Sequence, residues 1–188
     1  MSEVKYKASL DERFDTSNPR LNQQYVKNWI EESGLTKEKL IDELYHKTRG
    51  LGLQRNLMIS YKTMLNFFGC KDSELSQYFF TLFADGDKID IRKCMLALSS
   101  LLFASMEDLL RFQFELMDHS KSSYLTDNDL IILLQANHFV SNPNEILSKA
   151  KTILDNSIKQ MQDDALSEEE FYKLANETPN LLFLTPIK

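Results

Sequence analysis

Glycine and proline are scarce in this chain of 188 residues, which contains five glycines and four prolines. Both residues break helices and form tight turns, so their scarcity favours helices joined by a few defined breaks. The hydrophobic share of 43% is ordinary for a globular protein and allows a real core. We therefore expect an all-α fold.

Paired cysteines, basic clusters and long apolar runs are also missing. Cys70 and Cys94 lack the spacing of a zinc site or a disulfide framework, which predicts a reduced, cytoplasmic protein. The net charge of −6 and the scattered Lys and Arg residues disfavour nucleic acid as a partner. The polar first ten residues predict no signal peptide, and the most apolar run, residues 95–104, is too short to insert into a membrane.

Motifs of the common enzyme classes are missing as well. The three histidines, His46, His119 and His138, are isolated from one another and show no metal-ligand spacing. The chain has no glycine-rich phosphate loop and no nucleophile elbow. We therefore expect a protein that is not an enzyme.

Capped helix starts recur four times, each with an aliphatic residue directly before the cap and an apolar residue five positions after that aliphatic one. They are Ile59-Ser60…Met64, Ile89-Asp90…Cys94, Leu125-Thr126…Leu130 and Leu166-Ser167…Phe171. The cap side chains accept hydrogen bonds from first-turn amides, and the flanking apolar pair forms a hydrophobic staple. A helix, a short loop and a capped helix, repeated at about 30 to 40 residues, is the layout of four EF-hands.

Helix signals divide the chain into an arm, two lobes and a tail. Residues 1–18 are polar and aperiodic, so we expect a flexible N-terminal arm. Asn18-Pro19 is a cap followed by a first-turn proline, which predicts an extra N-terminal helix. That helix and the first EF-hand lobe are expected over residues 19–104, the second lobe over residues 105–178, and an apolar C-terminal tail over residues 179–188.

The third loop has the length of a calcium loop but few of its ligands. A calcium loop places oxygen ligands at positions one, three, five and seven, glycine at six and a bidentate Glu at twelve. The corresponding metal-ligand candidates are Asp118, Ser120, Ser122, Tyr124 and Asp129, and Ser123 stands at the glycine position. Two carboxylates make this a degenerate calcium loop, for which both weak calcium binding and a metal-free loop held by caps stay open. We expect no other cofactor.

The remaining loops are poorer in ligands. Residues 84–93 are two residues short when Ile89 is aligned with the eighth position, and Lys93 then occupies the closing position. The fourth loop is shortened before Leu166, although Glu170 stands at its closing position. The first loop, residues 52–63, contains no acidic residue. A calcium switch needs different ion binding in two states, which at most one of these hands could supply.

The helix before the third loop, residues 105–118, carries an aromatic-rich run directly into the first Asp of the loop. This run resembles the calcineurin-B and neuronal-calcium-sensor type of the EF-hand superfamily, and the resemblance covers about residues 40 to 185. Three further stretches resemble calaxin-like proteins, ciliary EF-hand proteins associated with outer-arm dynein: Gly52-Leu53-Gln54-Arg55-Asn56, Ile158-Lys159-Gln160-Met161 and residues 171–178 with the leucine-rich tail. Calaxin-like proteins keep ligand-rich loops, whereas this chain does not.

These features predict a structural or adaptor subunit that binds a helix of a partner protein in an apolar groove, largely independently of calcium. The resemblance implies the ciliary axoneme, as a dynein-docking or microtubule-associated scaffold with axonemal or tubulin-associated partners. The alternative is a calcium-responsive regulatory subunit of a phosphatase or another signalling protein.

Two packing predictions follow from the same pattern. Ile89 and Leu125 are expected to be buried and to pair by short backbone bridges within their lobes. Residues 181–184 are large and apolar and lie between Pro179 and Pro186. Exposing them would cost about 1.5–3 kcal/mol per side chain. We therefore expect the tail to dock, either in its own lobe with Phe183 as the anchor or against a partner.

Overall fold

The computed structural model describes residues 16–50, 57–118, 122–139, 143–157 and 165–179. Helices make up 73% of the described residues. This confirms a largely helical fold, to which small sheets are added. The predicted N-terminal arm lies for the most part outside the described residues, and the apolar stretch of the predicted tail lies wholly outside them.

The chain divides into two compact units, Met1–Met95 and Leu96–Lys188. The first unit contains α1 (Pro19–Ser33), α2 (residues 37–50), β1 (Met58–Ile59), α3 (Tyr61–Phe68), α4 (Glu74–Phe83), β2 (Ala84–Asp85), β3 (Lys88–Asp90) and the start of α5 (Ile91–Leu102). The second contains the rest of α5 with α6 (Met106–Met117), β4 (Tyr124–Thr126), α7 (Asp127–Asn137), α8 (Pro143–Ser157), β5 (Ala165–Ser167) and α9 (Glu168–Glu177). No described helix is both long and apolar enough to cross a membrane.

The helices begin at the caps that the sequence indicates. The Asn18 side chain accepts hydrogen bonds from the amides of Arg20 and Leu21, and α1 ends at Gly34 in the left-handed conformation with φ 65°. Ser60, Ser73 and Ser105 cap α3, α4 and α6 in the same way. Full capping boxes open α7 and α9, because the backbone amide of each cap residue also donates to the carboxylate three residues later. Local side-chain chemistry therefore sets most helix starts.

Helix α2 contains a segment that the sequence pattern does not predict. Its α-helical ends, Lys37–Lys39 and His46–Gly50, flank a π-helical turn at Leu40–Tyr45. Leu40 and Leu44 in this turn are both fully buried. The wider turn therefore keeps the apolar face of α2 against the core.

Short antiparallel strands join the loops within each unit. In the first unit Ile59 pairs with Ile89, and in the second Leu125 pairs with Leu166. Ile89 and Leu125 are both 0% exposed, which confirms their predicted burial and bridging. The strands extend to three residues in β3, β4 and β5, and β2 adds a hairpin that the sequence analysis did not anticipate. On β4 the alternation is complete, since Leu125 is buried while its neighbours Tyr124 and Thr126 are exposed.

Candidate functional site

The third loop holds its first carboxylate in a network of internal hydrogen bonds. Asp118 Oδ1 accepts from the amide and the hydroxyl of Ser122 at 3.0 and 3.1 Å, and Asp118 Oδ2 accepts from the amide of Ser123 at 2.9 Å. Ser123 has φ 67°, the left-handed conformation that a calcium loop reserves for glycine. Asp118 therefore closes the turn by itself, and a cation would have to compete with these amides for its oxygens.

The fifth and seventh positions of the same loop also bond to each other. The Tyr124 amide donates to the Ser122 oxygen at 3.3 Å, and the Tyr124 carbonyl lies 3.1 Å from that oxygen as an alternative acceptor for its single proton. The Tyr124 side chain is exposed. Ser120 and His119 lie outside the described residues. The structure thus brings Asp118, Ser122 and Tyr124 together through hydrogen bonds of the loop.

The closing residue Asp129 acts as a helix cap. Its Oδ2 accepts from the amide of Thr126 at 2.9 Å and from the hydroxyl of Thr126 at 2.8 Å. In return Thr126 Oγ1 accepts from the Asp129 amide at 3.3 Å. These bonds stabilise the start of α7 and hold the Asp129 carboxylate at the cap. A bidentate contact with a cation would have to break them, and the Asp side chain is one methylene shorter than the usual Glu.

The second loop is a tight hairpin. Asp85 pairs with Lys88, so Gly86 and Asp87 form a two-residue turn, and Gly86 has φ 68°. Glycine at the first central position suits the type II′ turn of such hairpins. This geometry explains why the loop is shorter than a calcium loop, because the strands pair where a longer loop would wrap around an ion.

Asp90 follows this hairpin and caps α5. Its Oδ1 accepts from the amides of Arg92 and Lys93 at 2.9 and 3.4 Å. Burial raises the pKa of the Asp90 carboxyl, against the opposing effects of the Arg92 charge, of these two amides and of the Lys93 charge. Asp90 is only 7% exposed, so its carboxylate bonds to the amides of α5 inside the unit and is poorly accessible to a cation in solvent.

The fourth loop keeps its closing carboxylate as a cap too. Glu170 Oε2 accepts from the amide of Ser167 at 2.8 Å, and Ser167 Oγ accepts from the amide of Glu170 at 3.3 Å. Residues 158–164 and residues 51–56 of the first loop lie outside the described residues. Across the described ranges, no group of three or more His, Cys, Asp or Glu side chains is placed to hold a metal ion.

A buried amide pair in the second unit was not singled out by the sequence analysis. Gln113 Nε2 donates to Asn137 Oδ1 at 2.8 Å, and Asn137 Nδ2 donates to Gln113 Oε1 at 3.0 Å. The second N–H of Gln113 Nε2 is shared between Ser99 Oγ at 3.0 Å and the Leu96 carbonyl at 3.2 Å. The available signal was Gln113 itself, a polar residue between Phe112 and Phe114 in an otherwise apolar helix face. Reciprocal bonds of this kind fix the register of α6 against α7.

Both thiols and one tyrosine have raised pKa values. Burial raises the pKa of the Cys94 thiol well above its ordinary value and raises that of Cys70 to a lesser degree. Burial and the hydrogen bond to Glu168 raise the pKa of Tyr172 to about 12. His46 is exposed, whereas His138 is buried at the end of α7. Cys94, Tyr172 and His138 belong to three different helices or their ends.

Comparison with protein-family models and with curated proteins finds no match to this chain.

Proposed function

We propose that this protein is a diverged EF-hand protein, of the calcineurin-B and neuronal-calcium-sensor type and closest in character to calaxin-like proteins. In this proposal the helix–loop–helix units pair as two EF-hand lobes, α2–α3 with α4–α5 and α6–α7 with α8–α9. The observation that carries it is the register of the loops, in which Ile59 pairs with Ile89 and Leu125 with Leu166. These are the eighth-position residues of the proposed loops, where paired EF-hands are bridged.

The function that follows is that of a non-catalytic adaptor that binds a helix of a partner protein and does not require calcium. The support is chemical: the carboxylates at Asp118, Asp129 and Glu170 accept hydrogen bonds that hold loop turns and helix caps. A switch driven by calcium would have to exchange those bonds for metal ligation. By its sequence resemblance, we place the adaptor in the cytoplasm and the ciliary axoneme, with a dynein-docking or tubulin-associated partner.

Calcium titration by calorimetry tests the chemical half of this proposal. We expect no binding tighter than about 10⁻⁴ M, which is weaker than the sensor range. The matched control is Asp118→Asn, which keeps the size of the side chain and removes its charge. A micromolar dissociation constant that Asp118→Asn abolishes would refute calcium independence and favour the regulatory subunit of a phosphatase or other signalling protein.

Capture of partners from ciliated cells tests the other half. The tagged full chain is used with and without a calcium chelator. Axonemal or tubulin-associated proteins recovered equally in both conditions are the expected result. A phosphatase or kinase recovered only when calcium is present would contradict the adaptor function.

A further inference from the structure

Helix α1 precedes the first helix–loop–helix unit and inserts the only tryptophan of the chain into it. The Trp29 ring stacks on Phe79 of α4 with centroids 4.0 Å apart and an interplanar angle of 15°. It also meets the edge of Phe68 of α3 at 5.2 Å. Trp29 and Val26 are both 0% exposed. One apolar stripe of α1 is therefore fully removed from solvent by the face that α3 and α4 share.

Polar contacts fix how α1 lies on this face. Trp29 Nε1 donates to Ser76 Oγ at 3.1 Å, and Ser76 is itself 0% exposed. The Tyr78 hydroxyl donates to the side-chain oxygen of Asn22, which lies about two turns before Trp29 on α1. Buried hydrogen bonds of this kind are costly to leave unmade, so they select one orientation and one register of the helix.

The connection between α1 and α2 is too short to let α1 move freely away. Only residues 34–36 separate the two helices, and Leu35 in this connection is 5% exposed. The amide of Leu35 also donates to the Ile30 carbonyl at 3.2 Å. A short tether holds α1 at an effective concentration of the order of millimolar. An unattached helix of equal affinity would displace α1 only at a free concentration above that value.

We propose that α1 is an intramolecular ligand of the first unit, which occupies the α3–α4 face that a partner helix would use and so excludes external helices from it. The inference rests on the proposed function for the role of that face. It deepens that function by removing the first unit from partner recognition while α1 is docked. The chemistry of the excluded ligand is that of α1: an amphipathic helix with an indole anchor.

A synthetic peptide of residues 16–36 with a fluorescent label, titrated into full-length chains, tests the proposal. The chains are wild type, Trp29→Ala and the control Leu21→Ala, which truncates a side chain of α1 that is 49% exposed. We expect the peptide to bind Trp29→Ala at least about tenfold more tightly than it binds the other two. Equal affinity for all three chains would overturn the proposal, and so would a Trp29→Ala chain with wild-type circular dichroism that does not bind.

A second measurement does not depend on that variant folding. The unlabelled peptide keeps its tryptophan, and the wild-type chain carries 5-hydroxytryptophan at position 29, which can be excited selectively at wavelengths that tryptophan does not absorb. Its emission and its quenching by acrylamide should stay unchanged in a tenfold excess of peptide. A red shift with stronger quenching would show that α1 is easily displaced and would overturn the exclusion. Neither experiment uses an external partner, so a failed partner capture would refute the proposed function without altering these outcomes.

Discussion

In the first unit an aromatic cluster orders the interior, with Trp29 of α1 between Phe68 and Phe79. The second unit instead contains a polar pair in its interior, because Gln113 and Asn137 bond reciprocally and are both 0% exposed. Ring packing depends on complementary shape, whereas an amide pair also requires its hydrogen bonds in one geometry. The first unit thus adds the buried hydrogen bonds of α1 to an aromatic cluster, whereas the second unit centres on a reciprocal amide pair.

The loops differ between the units in a related way. The second loop turns at Gly86 within a hairpin, whereas the third turns at Ser123 around the carboxylate of Asp118. Both turning residues adopt the left-handed conformation, with φ 68° and 67°. Only one of them is glycine, so the third loop relies on side-chain hydrogen bonds to hold a conformation that disfavours serine.

The largest expected effect concerns the buried bridging residue of each unit, Ile89 in the first and Leu125 in the second. Ile89→Ala and Leu125→Ala should each lower the free energy of unfolding by about 2–5 kcal/mol, because both truncate fully buried side chains. Chemical denaturation measures the loss, with Tyr124→Ala as the control at a neighbouring exposed position of β4. A midpoint unchanged by either substitution would contradict the placement of that residue in the core.

The buried amide pair of Gln113 and Asn137 should produce the next largest effect. Gln113→Leu leaves the Asn137 side chain buried without these partners and should cost about 1–3 kcal/mol. The double variant Gln113→Leu, Asn137→Leu should cost less than the sum of the two single variants, since it removes both polar groups. The matched control is Gln24→Leu, whose amide bonds to Asn28 on the exposed face of α1 and should matter by less than about 0.5 kcal/mol. Equal losses at Gln113 and Gln24 would show that the buried amide pair stabilises the second unit no more than an exposed amide pair does.

Opposite substitutions at the two turns should change stability in opposite directions. Gly86→Ala should cost about 1–2 kcal/mol from backbone strain alone, because a Cβ at this position meets no atom within 4 Å. Ser123→Gly should relieve the corresponding strain, but the added freedom of the unfolded chain limits the gain to about 1 kcal/mol or less. Thermal unfolding of both variants measures the signs, and a stabilising Gly86→Ala would contradict the hairpin geometry.

The smallest effect is a change of pH dependence at Asp90. Burial raises the pKa of this carboxyl in the folded state, so the folded protein binds the proton more readily than the unfolded chain does. The contribution of Asp90 to stability is therefore present below its unfolded pKa and is lost as the pH rises through its folded pKa. Asp90→Asn keeps a good helix cap and cannot titrate.

We expect the stability of wild type relative to Asp90→Asn to fall as the pH rises from about 4 to 8. Urea denaturation across this range measures the difference. Arg92 stays charged throughout, so its altered environment adds only a constant offset between the two proteins. A relative stability of wild type that rises with pH would show that the pKa of Asp90 is lowered instead.

The sequence alone determined the helical class, the helix starts and the aliphatic residues that bridge the loops. These features depend on neighbours within a few residues: Asn18, Thr126 and Ser167 cap because their oxygens reach amides of the next turn. The burial of Ile89 and Leu125 was predictable because a residue before a cap and an apolar residue in the following turn pack as one staple.

Tertiary structure alone decided what the candidate ligands bind and what the first unit buries. Whether Asp118 faces a cation or the amides of Ser122 and Ser123 depends on how the loop closes, and the residue types at the ligand positions do not contain that information. The docking of Trp29 against Phe79, 50 positions apart in sequence, depends on helices that meet only after folding. Local capping is written in short stretches of sequence, whereas long-range contacts follow from the packing of whole elements, which no short stretch specifies.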